Sequence, residues 1–152
     1  MKKYIYYVAM AWLLFAACKV TFITGYDEVL DQTNNKIKKD FNLHFIKLSR
    51  TIQDTDPNNQ QYEKFQDYYD NLEADLITLK DRTKFLGGKS GIVKKQVNNL
   101  DSVFHEFINL HKQGLPDRPG DDRRDIRNGI NASIDAITVL QESLKSTGKV
   151  PQ

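Results

Sequence analysis

An all-α fold, specifically an antiparallel up-down-up-down four-helix bundle, is what this sequence predicts, and three observations predict it. Beyond residue 24, apolar residues recur at steps of three and four in four separate stretches, the spacing that collects them on one helix face. Short segments containing Pro or Gly divide the stretches, and connections that brief join antiparallel neighbours. No segment shows the period-two alternation of a half-buried strand. The expected organisation is a signal peptide at 1–17, a short tether at 18–24, the bundle at 25–146 and a frayed tail at 147–152.

The first helix is expected to start at Thr24-Gly25-Tyr26-Asp27, with Thr24 as cap and Asp27, three residues on, completing a capping box. It runs to about Thr51, and Val29 or Leu30, Thr33, Ile37, Phe41, Phe45, Leu48 and Ile52 form its stripe. Asp54-Thr55-Asp56-Pro57 breaks it. Asp56 caps the second helix, with Pro57 at the first position, where a missing N–H costs nothing. There Tyr62, Phe65, Tyr69, Leu72, Leu76, Leu79, Thr83 and Leu86 make an unbroken, coiled-coil-like seam. Acidic residues precede Lys80, Arg82 and Lys84, which complements the helix dipole, and Gly87-Gly88 ends the helix. The third helix spans about Gly91 to Gln113 on Val93, Val97, Leu100, Phe104, Phe107 and His111, closed by Gly114 and Pro116. The fourth starts near Asp122 and carries Ile126, Ile130, Ile134, Ile137, Leu140 and Leu144.

The first eighteen residues differ in kind. Lys2 and Lys3 precede an uncharged apolar run, Tyr4 to Ala17, and Phe15-Ala16-Ala17-Cys18 places two small residues before the only cysteine. Positive start, apolar stretch and small-residue cleavage site make up a secretion signal. A cysteine at the cut resembles the lipobox of bacterial lipoproteins, and the resemblance implies that Cys18 is acylated and becomes the new N-terminus. Phe15 stands where that pattern usually has Leu, with Leu14 one step earlier. Two alternatives stay open: an ordinary signal with an incidental cysteine, or an uncleaved anchor reaching Ile23 with Lys19 snorkelling to the interface. Composition favours removal. Trp12, Met1 and Met10 are the only Trp and the only Met, and all fall in the leader. Losing Lys2 and Lys3 leaves 20 of the 22 Lys and Arg against 20 Asp and Glu, a neutral domain with no overall pull towards nucleic acid.

Motifs of chemistry are weak. His44, His105 and His111 are the only histidines; His105-Glu106 lacks the second histidine of a zinc-protease motif, since position 109 is Asn109. All three are expected at the surface or its boundary, with no metal and no cofactor. Gly87-Gly88-Lys89-Ser90-Gly91 lacks the earlier glycine of a phosphate loop, Thr83 standing there, and reads as a helix stop and start. Asn131-Ala132-Ser133 fits a glycosylation acceptor only formally. The mixed charges from Asp117 to Arg127 read as a solvated helix entrance, with a docking loop as the lesser alternative. Among the aromatics, Tyr68 lies off the seam and is the best candidate for a partner contact. Tyr62, Phe65, Phe104 and Phe107 could line a ligand pocket between helices.

The chain beyond the leader is also similar to an uncharacterised family of small exported bacterial helical proteins. The landmarks are Gly25-Tyr26-Asp27, Tyr62 with Tyr69-Asp70, Leu79 with Arg82, and Leu110-His111 followed by Gly114. That resemblance implies no activity. The expectation is therefore a non-enzymatic envelope lipoprotein, attached to a membrane through Cys18 and presenting a helical module to an envelope protein. Which leaflet holds it and whether it pairs with itself stay open. The alternative is a periplasmic bundle that binds a small ligand.

Overall fold

The computed structural model describes residues 26–51, 61–86, 90–114 and 120–147, and in these the chain is all-helical. The leader and tether with Cys18, the Thr24 cap, the Asp56-Pro57 start and the tail after Thr147 lie outside the described residues. Four helices form: α1 Glu28–Thr51, α2 Gln66–Thr83, α3 Ser90–Lys112 and α4 Gly120–Thr147, with a 3₁₀ turn, Tyr62–Phe65, leading into α2.

The start of α1 corrects the expected capping box. Asp27 is itself the cap, its Oδ1 accepting the Leu30 N–H at 2.9 Å. The end of α2 is also earlier than expected. Lys84 N and Phe85 N donate to Asp81 O and Arg82 O, three residues back, so the last turn tightens and Leu86 lies beyond the helix. Gly114 closes α3 with a φ of 99°, which a residue lacking Cβ adopts without strain, and donates to His111 O at 3.1 Å.

Direction follows from the ties between helices. Asp27, Lys36 and His44 of ascending number meet Arg82, Asp75 and Tyr69 of descending number, so α1 and α2 run antiparallel. Tyr69 and Lys80 meet His111 and Asp101, which sets α3 against α2. Asp27, Asn34 and Asn42 meet Gln141, Thr138 and Asn131, which sets α4 against α1. Each helix packs on two neighbours, and α1 and α4 close the ring.

One core fills the centre, and the apolar stripes supply it. Leu30, Ile37, Phe41 and Leu48 of α1 meet Tyr69, Leu72, Leu76 and Leu79 of α2. Val93, Val97, Leu100, Phe104 and Phe107 of α3 meet Ile130, Ile134, Ile137 and Leu144 of α4. Phe41 is its hinge, with edge-on contacts to Phe104 (5.5 Å between centroids) and Phe107 (5.6 Å). The α1 stripe takes Leu30 of the two residues expected at its start and, among the described residues, differs from expectation at Thr33 alone. Val29 and Thr33 face outward or half-outward, and Asn34 takes the buried position, its Nδ2 donating to Ile134 O and Thr138 Oγ1. Among the described residues no helix is long and apolar enough to cross a membrane.

Two outcomes follow for stability. Gly129 is exposed inside α4, and a Cβ there would meet nothing within 4 Å. Gly129→Ala should raise the unfolding free energy by about 0.5–1 kcal/mol by narrowing the unfolded ensemble, measurable by urea titration. Asp27→Ala removes a cap and should cost about 1–2 kcal/mol. Arg82→Ala removes only the ion pair and should cost less; because Asp27→Ala removes both, an equal loss in Arg82→Ala would show that the cap contributes little.

Candidate functional site

The half of the bundle remote from Asp27 carries an unusual set of side chains. Tyr69 begins the α2 seam, and its hydroxyl would interrupt an apolar core unless partners met it. Two do. His44 Nε2 of α1 lies 3.1 Å from the hydroxyl on one side, and His111 Nδ1 of α3 lies 2.5 Å away on the other. Both imidazoles are 3 % exposed. This corrects the expectation of surface histidines for His44 and His111; His105 alone is exposed. One phenolic proton can serve only one ring. The second ring must therefore present its N–H to the oxygen, and the row is polarised in one sense from end to end.

Aromatic rings enclose this row. Tyr68 lies flat on His44, with centroids 3.9 Å apart and planes 4° from parallel, and Phe65 meets the same imidazole edge-on at 5.0 Å. Tyr62 stacks on Tyr69 at 5.0 Å, and Lys112 Nζ sits 4.7 Å above the Tyr62 ring. The 3₁₀ turn positions these groups: it places Tyr62 and Phe65 on one side, one turn before Tyr69. Desolvation, aided by the adjacent His111 and Lys47, pushes the His44 pKa down to about 3. Burial likewise drives the Tyr68 and Tyr69 phenols well upward. His44 and both phenols are thus neutral at ordinary pH, and neither phenol is available as a phenolate base.

Outside it, a groove of about 510 Å³ runs between α1 and α2. Its inner wall is His44, Phe65 and Tyr68, and Leu43, Lys47 and Lys64 stand on its rim. Tyr68 is therefore half-buried wall rather than a projecting ring, and its hydroxyl forms no hydrogen bond among the described residues. Phe104 and Phe107 are 0 and 1 % exposed and packed on Phe41, so they line core and not this groove. Of the candidate contact residues, the structure brings Tyr62, Phe65 and Tyr68 together at the margin and leaves Phe104 and Phe107 inside. Among the described residues no group of three His, Cys, Asp or Glu is arranged to hold a metal ion.

No family model, curated protein or solved structure matches this chain. The site therefore rests on its own geometry. The sequence reasoning missed the pairing of His44 with Tyr69 and His111. The signal was present, because Tyr69 and His111 both sit on apolar seams and His44 lies three residues after Phe41.

The buried histidine makes stability depend on pH with a definite sign. The unfolded chain takes up a proton at His44 near pH 6.5, while the folded chain resists until about pH 3. The contribution is complete above pH 6.5 and is lost as pH falls towards 3, with a slope of up to about 1.4 kcal/mol per pH unit. His44→Gln keeps a polar atom near the Nε2 position and removes the titration. Urea titrations from pH 7 to 4 should show a shallower pH dependence for the variant; parallel curves would mean that His44 is not buried as a neutral ring.

Proposed function

We propose that the chain is an exported bacterial envelope lipoprotein, held to a membrane through Cys18 and acting as a non-enzymatic helical interaction module. Its up-down-up-down bundle is the scaffold, and the outward side of α1 is the contact face. The observation that carries the reading is the leader itself, Lys2 and Lys3, the apolar run and Ala16-Ala17-Cys18, ahead of a domain of balanced charge.

The geometry lends support in two ways. The polar groups of the His44–Tyr69–His111 row are spent on one another, which suits a rigid scaffold. Leu43 and Ile46 project from α1 at 47 and 41 % exposure, Leu43 at the rim of the groove against α2 and Ile46 in the groove against α4. The alternative, a small-ligand bundle with a pocket among Tyr62, Phe65, Phe104 and Phe107, is weakened because the two phenylalanines are sealed in the core.

Intact mass and detergent partitioning, measured on protein from its native membrane beside Cys18→Ala, test the anchor. The expected result is loss of residues 1–17 with a lipid-sized mass gain, both absent in the variant, and a mature form without tryptophan emission. Retention of Trp12, or an unlipidated soluble product, would sink the anchoring mechanism. Crosslinked pull-down of wild type beside Leu43→Glu tests the module. Specific capture should drop in the variant, and an unchanged set of partners would remove α1 as the contact face.

A further inference from the structure

We propose that the groove between the second half of α1 and the first half of α4 docks an acidic segment of a partner protein. This rests on the reading of the chain as an interaction module and gives that partner its chemistry. The groove encloses about 410 Å³, with Phe45 and Ile46 among its lining and Arg50, Arg123, Arg124 and Arg127 around it. Among the described residues four guanidinium groups and no carboxylate line it, in a domain whose charges balance overall.

The helix sorts this charge. From residue 122 to 127 acids and bases interleave in sequence, yet Asp122 and Asp125, three apart, lie exposed and outside the lining, while Arg123, Arg124 and Arg127 line it. These arginines occupy the first turns of α4, where the helix dipole opposes a cation, so helix stability alone does not account for them. Arg127 is held in place by a neutral acceptor. Its Nε and Nη2 donate to Asn42 Oδ1 at 3.0 and 2.8 Å, and its guanidinium lies 5.8 Å from the Phe45 ring centre. Asn42 is itself fixed by donating to Lys38 O and Asn131 Oδ1. Among the described residues neither Arg127 nor Arg50 forms an ion pair. Arg123 and Arg124 have contacts of their own and frame the groove.

The lining selects the occupant. Guanidinium forks match carboxylates in paired geometry, and an apolar floor between them seats an aliphatic side chain, a combination found in acidic peptide segments. A bilayer surface fits less well. The groove is concave with an apolar floor, which seats a single projecting side chain rather than a flat surface.

The test is fluorescence anisotropy of a labelled synthetic peptide of aspartate and glutamate carrying one leucine, titrated with the full chain in detergent. Beside it run Arg50→Glu, Arg127→Gln and the control Lys94→Glu on α3, each checked for an unchanged melting midpoint. Saturable binding that weakens with salt, falls about tenfold in Arg50→Glu and holds in Lys94→Glu is the expected result. An absence of saturable binding overturns the proposal. So does an equal loss in Lys94→Glu, or binding of anionic vesicles or single-stranded DNA in place of the peptide. Repeating the titration with Cys18→Ala separates the two readings. Peptide binding by a chain that proves unlipidated removes only the anchor, and lipidated chain that ignores the peptide removes only the docking site.

Discussion

Tyr69 is buried with its hydroxyl met by two imidazoles from different helices. An unmet hydroxyl in a core costs about 1–3 kcal/mol, and here the partners, His44 and His111, come from α1 and α3. Apolar contacts are non-directional and tolerate a slip of one turn along the seam. The Tyr69 row does not, because displacing any one of the three helices would break a hydrogen bond in a place water cannot repair. Asn34 does the same between α1 and α4, where Nδ2 holds Ile134 O and Thr138 Oγ1. A single buried Asn on an otherwise apolar seam is a known device for fixing register. Apolar area stabilises this bundle, and a few polar groups choose which of its packings is native.

All of those ties share α1. Asp27 at its start binds Arg82 of α2 and receives a partner from Gln141 of α4, its backbone N–H donating to Gln141 Oε1 at 3.0 Å. Asn34 and Asn42 face α4, and His44 faces α2 and, through Tyr69, α3. The helix is therefore clamped from within along its length while Leu43, Ile46 and Arg50 stand outside. Side chains on a rigid element lose less freedom when a partner arrives, which lowers the cost of binding. The two grooves flank this same stretch, one walled by Tyr68 and Phe65, the other ringed by arginines.

The helices were legible because burial in a bundle obeys one period. Every α3 residue from Val93 to His111 assigned to the stripe is buried, as are Tyr69, Leu72, Leu76, Leu79 and Thr83 of α2. The polar members of that same period were harder to read. In α1 the rhythm Leu30, Asn34, Ile37, Phe41, His44 or Phe45, Leu48 is as regular as the others, but an amide or imidazole on a stripe signals burial only if a partner awaits it on another helix. Sequence distance hides that partner: Asn34 and Thr138 are 104 residues apart. Asp27 was misread for a related reason. A carboxylate three residues after a threonine fits a capping box, yet this one begins the helix itself because Arg82 and Gln141 draw it into the end of the bundle. The candidate contact residues divided on the same ground, since nothing local distinguishes the half-buried Phe65 from the sealed Phe107.

Several residues conspicuous in the sequence acquire a physical meaning from this arrangement. Tyr26, Asp27 and Arg82 meet at one end of α1, where Arg82 Nε approaches Asp27 Oδ2 to 2.9 Å and the Tyr26 hydroxyl lies 3.4 Å from Asp31. Tyr62, Tyr69 and His111 meet near the other. The first cluster is partly open, with Arg82 lying near the exposed Phe85 ring; the second is enclosed by stacked rings. An open ion pair is screened by water and stabilises little, whereas an enclosed hydrogen-bonded row is unforgiving of displacement. The enclosed end holds both grooves. The grooves thus lie at the end of α1 where the buried polar row fixes the packing most strictly.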